Sequence, residues 1–418
     1  MTSREITLAA INHKETGRIP VDCGSTGVTG IHVKAVEELR RHYGLDDRHV
    51  RVIEPYQMLG EVEEDLADAI GCTVKGLFGR SNMFGIRHDS GWKEFKTFWG
   101  QTVLVPEDFN TTKEKDGSLL IYPEGDTSVG ACAKMPAAGY FFDAIIRQDP
   151  IVEDDLRVED NLEEYTPVSK EDLDHWRKQF DAIRGSKRAV IASLGGTAIG
   201  DIALVPAMNL KHPRGIRDIA EWYISTLMRP VYVAEIFDRQ TDIAIANLDK
   251  IYRAGGDVID VVFTCGTDFG TQTSTFCSGE TFDELYAPYY RKVNDWIHKN
   301  TGWKTFKHSC GAVEPFISKF IDCGFDILNP VQISAAGMDP GKIKEKYGDR
   351  IVFWGGGVDT QKVMAFGSPA DVREQVLENC STFGKNGGFV FNTVHNIQAN
   401  VPVENIVSMF ETLKEINS

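Results

Sequence analysis

No stretch of this 418-residue chain approaches the ~20 consecutive apolar residues that a membrane-spanning helix needs. The first residues, MTSREITLAAINHKETGR, lack the apolar core of a secretory signal. Basic residues are the minority: 45 Lys and Arg stand against 61 Asp and Glu, a formal charge of −16. No long Lys/Arg block interrupts that excess, which argues against nucleic acid or an anionic membrane as a partner. Cysteine is sparse and scattered, at 23, 72, 132, 265, 277, 310, 323 and 380. In a chain without an export signal these eight predict reduced thiols or metal ligands, not a disulfide framework, and a cytoplasmic location. A glycine-rich dinucleotide fingerprint is missing after the first expected strand. GGTAIGD (195–201) is a weak match that reads better as a turn of small residues.

What is present is alternation. At 42% hydrophobic and 25% charged residues the chain has an ordinary globular composition. Nearly continuous apolar runs at 18–24, 189–196, 257–266, 304–308, 326–332, 351–357 and 388–396 predict strands buried on both faces. Helical spacing separates them: Val313, Phe316, Ile317, Phe320 and Ile321, closed by Gly324, then Ile406, Met409, Phe410 and Leu413 near the end. Near the start, Val62, Leu66, Ala69 and Ile70 share one face of a short helix. The last four strands begin roughly 22 to 37 residues apart, the length of one strand–helix unit. We expect an α/β chain folded as a (β/α)8 TIM barrel, one domain over 1–418, with a doubly wound open sheet as the rival. Residues about 80–165 break the rhythm. Their short alternating runs and the KDGS turn (115–118) predict a β-hairpin-rich insertion.

The stretch KTFKHSCGAVEPF (304–316) carries the chemistry. Residues i and i+2 of a strand project to one side, so His308 and Cys310 can face a single point at a strand's C-terminal end. That is the end where barrels place their active sites. Imidazole and thiolate suit zinc, yet chance alone gives roughly 0.2 such pairs in a chain with 10 His and 8 Cys. A buried cysteine beside a hydrogen-bonded histidine is therefore the competing reading. His395, closing the last strand, is geometrically allowed as a third ligand, which would leave one open position. Cys23 and Cys265, also at strand ends, remain candidates, whereas Cys323 and Cys380 fall on helices and suit the core. Among strand-end polar groups, Asp22, Glu54, Asp268, Gln272, Asn329, Gln332, Asp359, Gln361 and Gln398, Asp268 is best placed to touch substrate or orient a metal-bound histidine. Each of the others, taken alone, is more often a cap or loop partner.

Taken together, INHKETGRIPVDCGSTGVTGIH, HSCGAV, FDILNPVQ, FWGGGVDTQ and FNTVHNIQANVPVENI resemble the uroporphyrinogen decarboxylase superfamily over nearly the whole chain, the 80–165 segment excepted. That superfamily is a (β/α)8 barrel with two chemistries. The decarboxylase branch is metal-free and carries an Arg-rich N-terminal stretch and an FSDIL-like catalytic Asp; neither stands here, and RVIEPYQMLGEVEEDL occupies the corresponding region. The cobalamin-dependent methyltransferase branch, including components of O-demethylase systems, uses zinc held by a His-x-Cys motif and a third ligand, usually Cys, near the last strand. His308 and Cys310 match the first two, and His395 stands at the third place.

The resemblance implies Zn2+ at His308, Cys310 and His395, with a corrinoid (cobalamin) supplied by a separate corrinoid protein. It implies a small-molecule methyl donor or acceptor as the other reactant. Asp268 and His395 are the expected catalytic residues. Glu54, Tyr56, Gln272, Asn329, Gln332 and Asp359 are the expected substrate contacts. A homodimer is compatible with the sequence. The alternatives are a decarboxylase-like lyase acting on a tetrapyrrole and a non-catalytic tetrapyrrole-binding barrel.

Overall fold

The structure, a computed structural model, describes residues 1–418. Seven strands form one parallel sheet: β1 (Val74–Phe78), β2 (Ala189–Ser193), β3 (Val261–Cys265), β4 (Lys304–His308), β5 (Ile327–Asn329), β6 (Val352–Trp354) and β7 (Phe389–Val390). They lie side by side in chain order. Residues 20–23 join the two edges. Phe391 O accepts from Asp22 N–H (2.9 Å), Pro20 O from Phe391 N–H (2.8 Å), and Val21 O from Thr73 N–H (2.8 Å). This short segment supplies what the seven strands lack, and the sheet curls into a TIM-barrel-like ring.

Alternation along the strands sorts the core into two parts. Val74, Ile191, Val261, Phe306, Ile327, Val352, Trp354 and Val390 point inward and pack together, with Ile11 of the helix Ser3–Ile11. The opposite faces join an 83-residue cluster beneath the outer helices. Burying each large side chain contributes about 1.5–3 kcal/mol, which holds the inward ladder in register. Helix Glu314–Asp322 buries Phe316, Ile317 and Phe320 as its spacing predicts, and Gly324 follows it at φ 80°. Helix Val403–Ile416 buries Ile406, Met409, Phe410 and Leu413. In the short helix Glu64–Ile70, Ala67, not Ala69, joins Leu66 and Ile70 inside.

Strand β1 was not expected. Its sequence VKGLF carries an outward lysine bonded to Glu64 and a glycine whose Cβ would fall 1.9 Å from Ser25 O, so the apolar run is broken by contacts with other segments. Within 80–165 the expected hairpins are present. Trp92–Lys96 pairs with Thr102–Pro106, and Thr111–Lys113, Leu119–Ile121, Ala133–Met135 and Asp143–Ala144 make an antiparallel four-stranded sheet. A three-stranded antiparallel sheet of Ile31–His32, Leu59–Gly60 and Val52–Glu54 lies outside that segment and was not foreseen. No helix is long and apolar enough to cross a membrane.

Candidate metal centre

Phe306 points into the barrel, so His308, two residues on, points inward above it at the C-terminal rim. Cys310 follows after the strand ends. His395 arrives from the turn beyond β7. One donor atom each from His308, Cys310 and His395 lies within 4.8 Å of the others. His308 Nε2 is 3.4 Å from Cys310 Sγ, and the two imidazoles stand edge to face with centroids 5.5 Å apart. The chain thus gathers two nitrogens and one sulfur, a set able to hold a divalent metal ion of the zinc kind.

The surroundings of His308 fit that use. Asn329, at the end of β5, donates its Nδ2–H to Trp354 O (2.7 Å), which fixes its amide orientation. Its Oδ1 therefore faces His308 Nδ1 at 2.6 Å and accepts the proton there. The Nε2 lone pair is left pointing at the donor cluster, as a ligating histidine requires. Burial pulls the His308 imidazole down to about 4, so it is neutral and free to ligate at physiological pH.

Cys310 is set by its backbone: its N–H donates to Asp268 Oδ1 at 2.6 Å. The same oxygen lies 3.8 Å from His308 Nε2. Burial, and next the Asp268 carboxylate, push the Cys310 thiol well above its ordinary range. Without a cation it carries its proton; a bound divalent ion would remove it. Gly311, at φ 91°, lets this turn lie against Gly270, where a Cβ would fall 2.3 Å from the carbonyl.

His395 differs from His308. Burial, followed by the neighbouring His308, lowers it to about 4 as well. Its Nδ1, however, accepts the Asn396 N–H at 2.8 Å, which puts the neutral ring's proton on Nε2. Ligation through Nε2 would require the proton to leave that nitrogen, whereas ligation through Nδ1 would replace the backbone bond.

The remaining sequence candidates divide. Gln332 and Gln272 brace the turn: Gly311 N–H donates to Gln332 Oε1 (2.8 Å), Gln332 Nε2 to Gln272 Oε1 (2.8 Å), and Gln272 Nε2 to Ser334 O (2.6 Å). Both amides are engaged within the loop. Asn329 is fully buried, with both ends of its amide likewise engaged. Asp359 caps a turn, accepting from Gln361 N–H while its own N–H meets Gln375, and it stays outside the cluster. Tyr56 packs on Phe84 and accepts the Phe142 N–H, which ties it to the hairpins. Glu54 accepts the Tyr56 and Gln57 amides, and burial raises its carboxyl to about 7. It reaches the cluster through Gln57, whose Oε1 accepts from Asn396 beside His395. Of the other cysteines considered, Cys265 faces Thr267 and Tyr290 in the outer layer, and Cys23 is buried near Cys72. Neither joins the cluster. Cys323 and Cys380 are core residues. A cavity of about 650 Å³ lies between the ends of residues 23–25 and β1 and the first hairpin, lined by His88, Trp92 and His175 but by none of the three donors.

Asn329 as an orienting partner was missed from the sequence. Its only signal was its place at a strand end, one strand away from His308.

Among known proteins, a family model for uroporphyrinogen decarboxylase (URO-D) matches residues 134–416. A uroporphyrinogen decarboxylase of Trichodesmium erythraeum (strain IMS101) is 22% identical over 292 residues, covering 68% of this chain and 75% of that protein. One of Psychromonas ingrahamii is 31% identical over 80 residues, 19% of this chain and 22% of its own length. A solved methyltransferase from Methanosarcina mazei superposes with a TM-score of 0.55 at 15% identity, covering 100% of both chains; this likeness is one of fold.

Proposed function

The chain belongs to the uroporphyrinogen decarboxylase (URO-D) family, and on that footing we propose that it is a zinc-dependent methyltransferase working with a separate corrinoid protein, as in O-demethylase systems. It moves a methyl group between the heteroatom of a small molecule and the corrinoid's cobalt. The carrying observation is the convergence of His308, Cys310 and His395 within 4.8 Å, on a His-x-Cys strand end with an orienting amide behind it. The methyltransferase name of the solved neighbour agrees with this reading.

Zinc bound there supplies Lewis acidity to the donor or acceptor heteroatom. The chain's own residues do the rest. Asn329 holds the His308 ring and its tautomer. Asp268 holds the Cys310 backbone and keeps a carboxylate oxygen 3.8 Å from His308 Nε2, where it would face a substrate bound at the ion. Gln332 and Gln272 keep the Gly311 turn rigid. The corrinoid partner docks over the barrel mouth, and the −16 charge of this chain favours a basic face on it. A thiol ligand and eight free cysteines suit a reducing compartment, so we place the protein in the cytoplasm.

One observation favours a second reading, metal-free decarboxylation of a tetrapyrrole. With its proton on Nε2, His395 is a ready hydrogen-bond donor to a substrate carboxylate. Two assays separate the readings. Methyl transfer from methylcobalamin, with one zinc per chain that is lost in Cys310→Ala, is the expected result. Turnover of uroporphyrinogen by metal-free protein, with no zinc taken up, would overturn it.

A further inference from the structure

Strand β4 carries a charge in a layer otherwise built from apolar groups. Lys307 precedes His308, and alternation turns it away from the barrel axis into the space between sheet and helices. It is fully buried there. Its ammonium has three N–H donors, and three acceptors meet it: Thr267 O at 2.5 Å, His308 O at 2.8 Å and Cys265 Sγ at 3.5 Å. The rings of Phe269, Tyr290 and Phe320 stand around the nitrogen, their centroids 5.1, 5.7 and 5.6 Å away. Their faces partly replace lost hydration. None of its bonded partners is a carboxylate. A methionine would fill the same space without desolvating a charge, so packing alone does not account for a lysine.

The groups that the ammonium joins do account for it. The register between β3 and β4 slips between Phe263 and Cys265. The ladder resumes with Cys265 opposite Lys307 and ends there, so the turn beyond β3 has no strand pairing to hold it. Three successive residues of that turn are gripped by Lys307 near the end of β4 and by Ser309 and Cys310 just beyond it. Thr267 O is held by Lys307, the Asp268 carboxylate by the Cys310 N–H, and the Phe269 N–H by Ser309 Oγ at 2.9 Å.

We propose that Lys307 is a positioning residue whose buried ammonium latches the Thr267–Phe269 turn to the end of β4, and so sets the Asp268 carboxylate against Cys310 and His308. It acts through Asp268. The consequence for metal binding rests on the function proposed above; the latch itself does not.

The test uses metal-free, full-length protein. Hydrogen exchange of Lys307→Met should be at least tenfold faster in peptides covering 266–270 and 309–312, with exchange in the remaining strands unchanged. A merely structural role would move global stability without this local pattern. In an Asp268→Ala background, which removes the oxygen that accepts the Cys310 N–H, Lys307→Met should add little at 309–312, because the grip it supports is already gone. With cobalt(II) as the probe, affinity should fall at least tenfold and the thiolate-to-cobalt absorption band should shift. Unchanged exchange in those two segments overturns the latch. Should the Met variant not fold, Lys307→Gln is read by the same exchange criterion. Failure of the wild-type chain to bind cobalt would count against the metal centre, while the exchange rates would still decide the latch.

Discussion

The Asn329 amide offers the sharpest test of the proposed metal centre, because it performs two separable tasks. Its Oδ1 accepts from His308 Nδ1, and its Nδ2 donates to Trp354 O. Asn329→Leu removes both partners at a fully buried position. Each orphaned buried group costs ~1–3 kcal/mol, so unfolding stability should drop by about 2–6 kcal/mol. The His308 tautomer is also released, and loss of such an orienting partner typically weakens metal affinity 10–100-fold, or ~1.4–2.7 kcal/mol. Asn329→Asp behaves differently. A carboxylate still accepts from Nδ1, more strongly than an amide, but sets an oxygen against Trp354 O where an N–H stood. This variant should lose stability while keeping metal affinity within about fivefold of wild type. Zinc titration against a competing chelator, paired with thermal denaturation, reads both quantities. If the Leu variant binds zinc like wild type, or the Asp variant binds as weakly as the Leu variant, the orienting role is wrong.

Other outcomes rest on the same geometry. Gly311→Ala places a Cβ 2.3 Å from the Gly270 carbonyl at φ 91°; strain and overlap should cost about 2–5 kcal/mol, visible as a lowered Tm. Zinc uptake at neutral pH should release one proton per ion, since both imidazoles are neutral above about 4 while the Cys310 thiol is held protonated. Calorimetry in buffers of different ionisation enthalpy measures this, and Cys310→Ser should release none. Burial raises the Asp22 carboxyl from 3.8 to about 6. The folded state thus binds that proton more tightly, and the stability it contributes is complete below about pH 4 and lost as pH rises through 6. Asp22→Asn should remove about 3 kcal/mol of that dependence in denaturant titrations across the range.

Much of this could be read from residue patterns, for identifiable reasons. Strands β2, β3, β5, β6 and β7 are largely apolar because both faces are covered, and the His-x-Cys pair sits where alternation and the barrel rim coincide. Strand β1 escaped because Lys75 and Gly76 answer to Glu64 and Ser25, contacts made by chain segments that no local window contains. The Ile31–Gly60 sheet escaped because its strands are two or three residues long, too short for period two to register. In the site, donor identity was legible but support was not. Strand-end polar groups such as Asn329 and Gln332 carry no sign, in one sequence, of what they face. Only the neighbouring strand shows that one holds an imidazole and the other a glycine turn.

The barrel seam unites residues near 22 with residues near 391, and the Asn392-to-Asp22 bond spans 370 positions. His395 travels with that late segment. A growing chain therefore exposes His308 and Cys310 as an incomplete, two-donor pair long before the third donor exists in place. Tight capture of an ion at this cluster would then be a property of the closed ring.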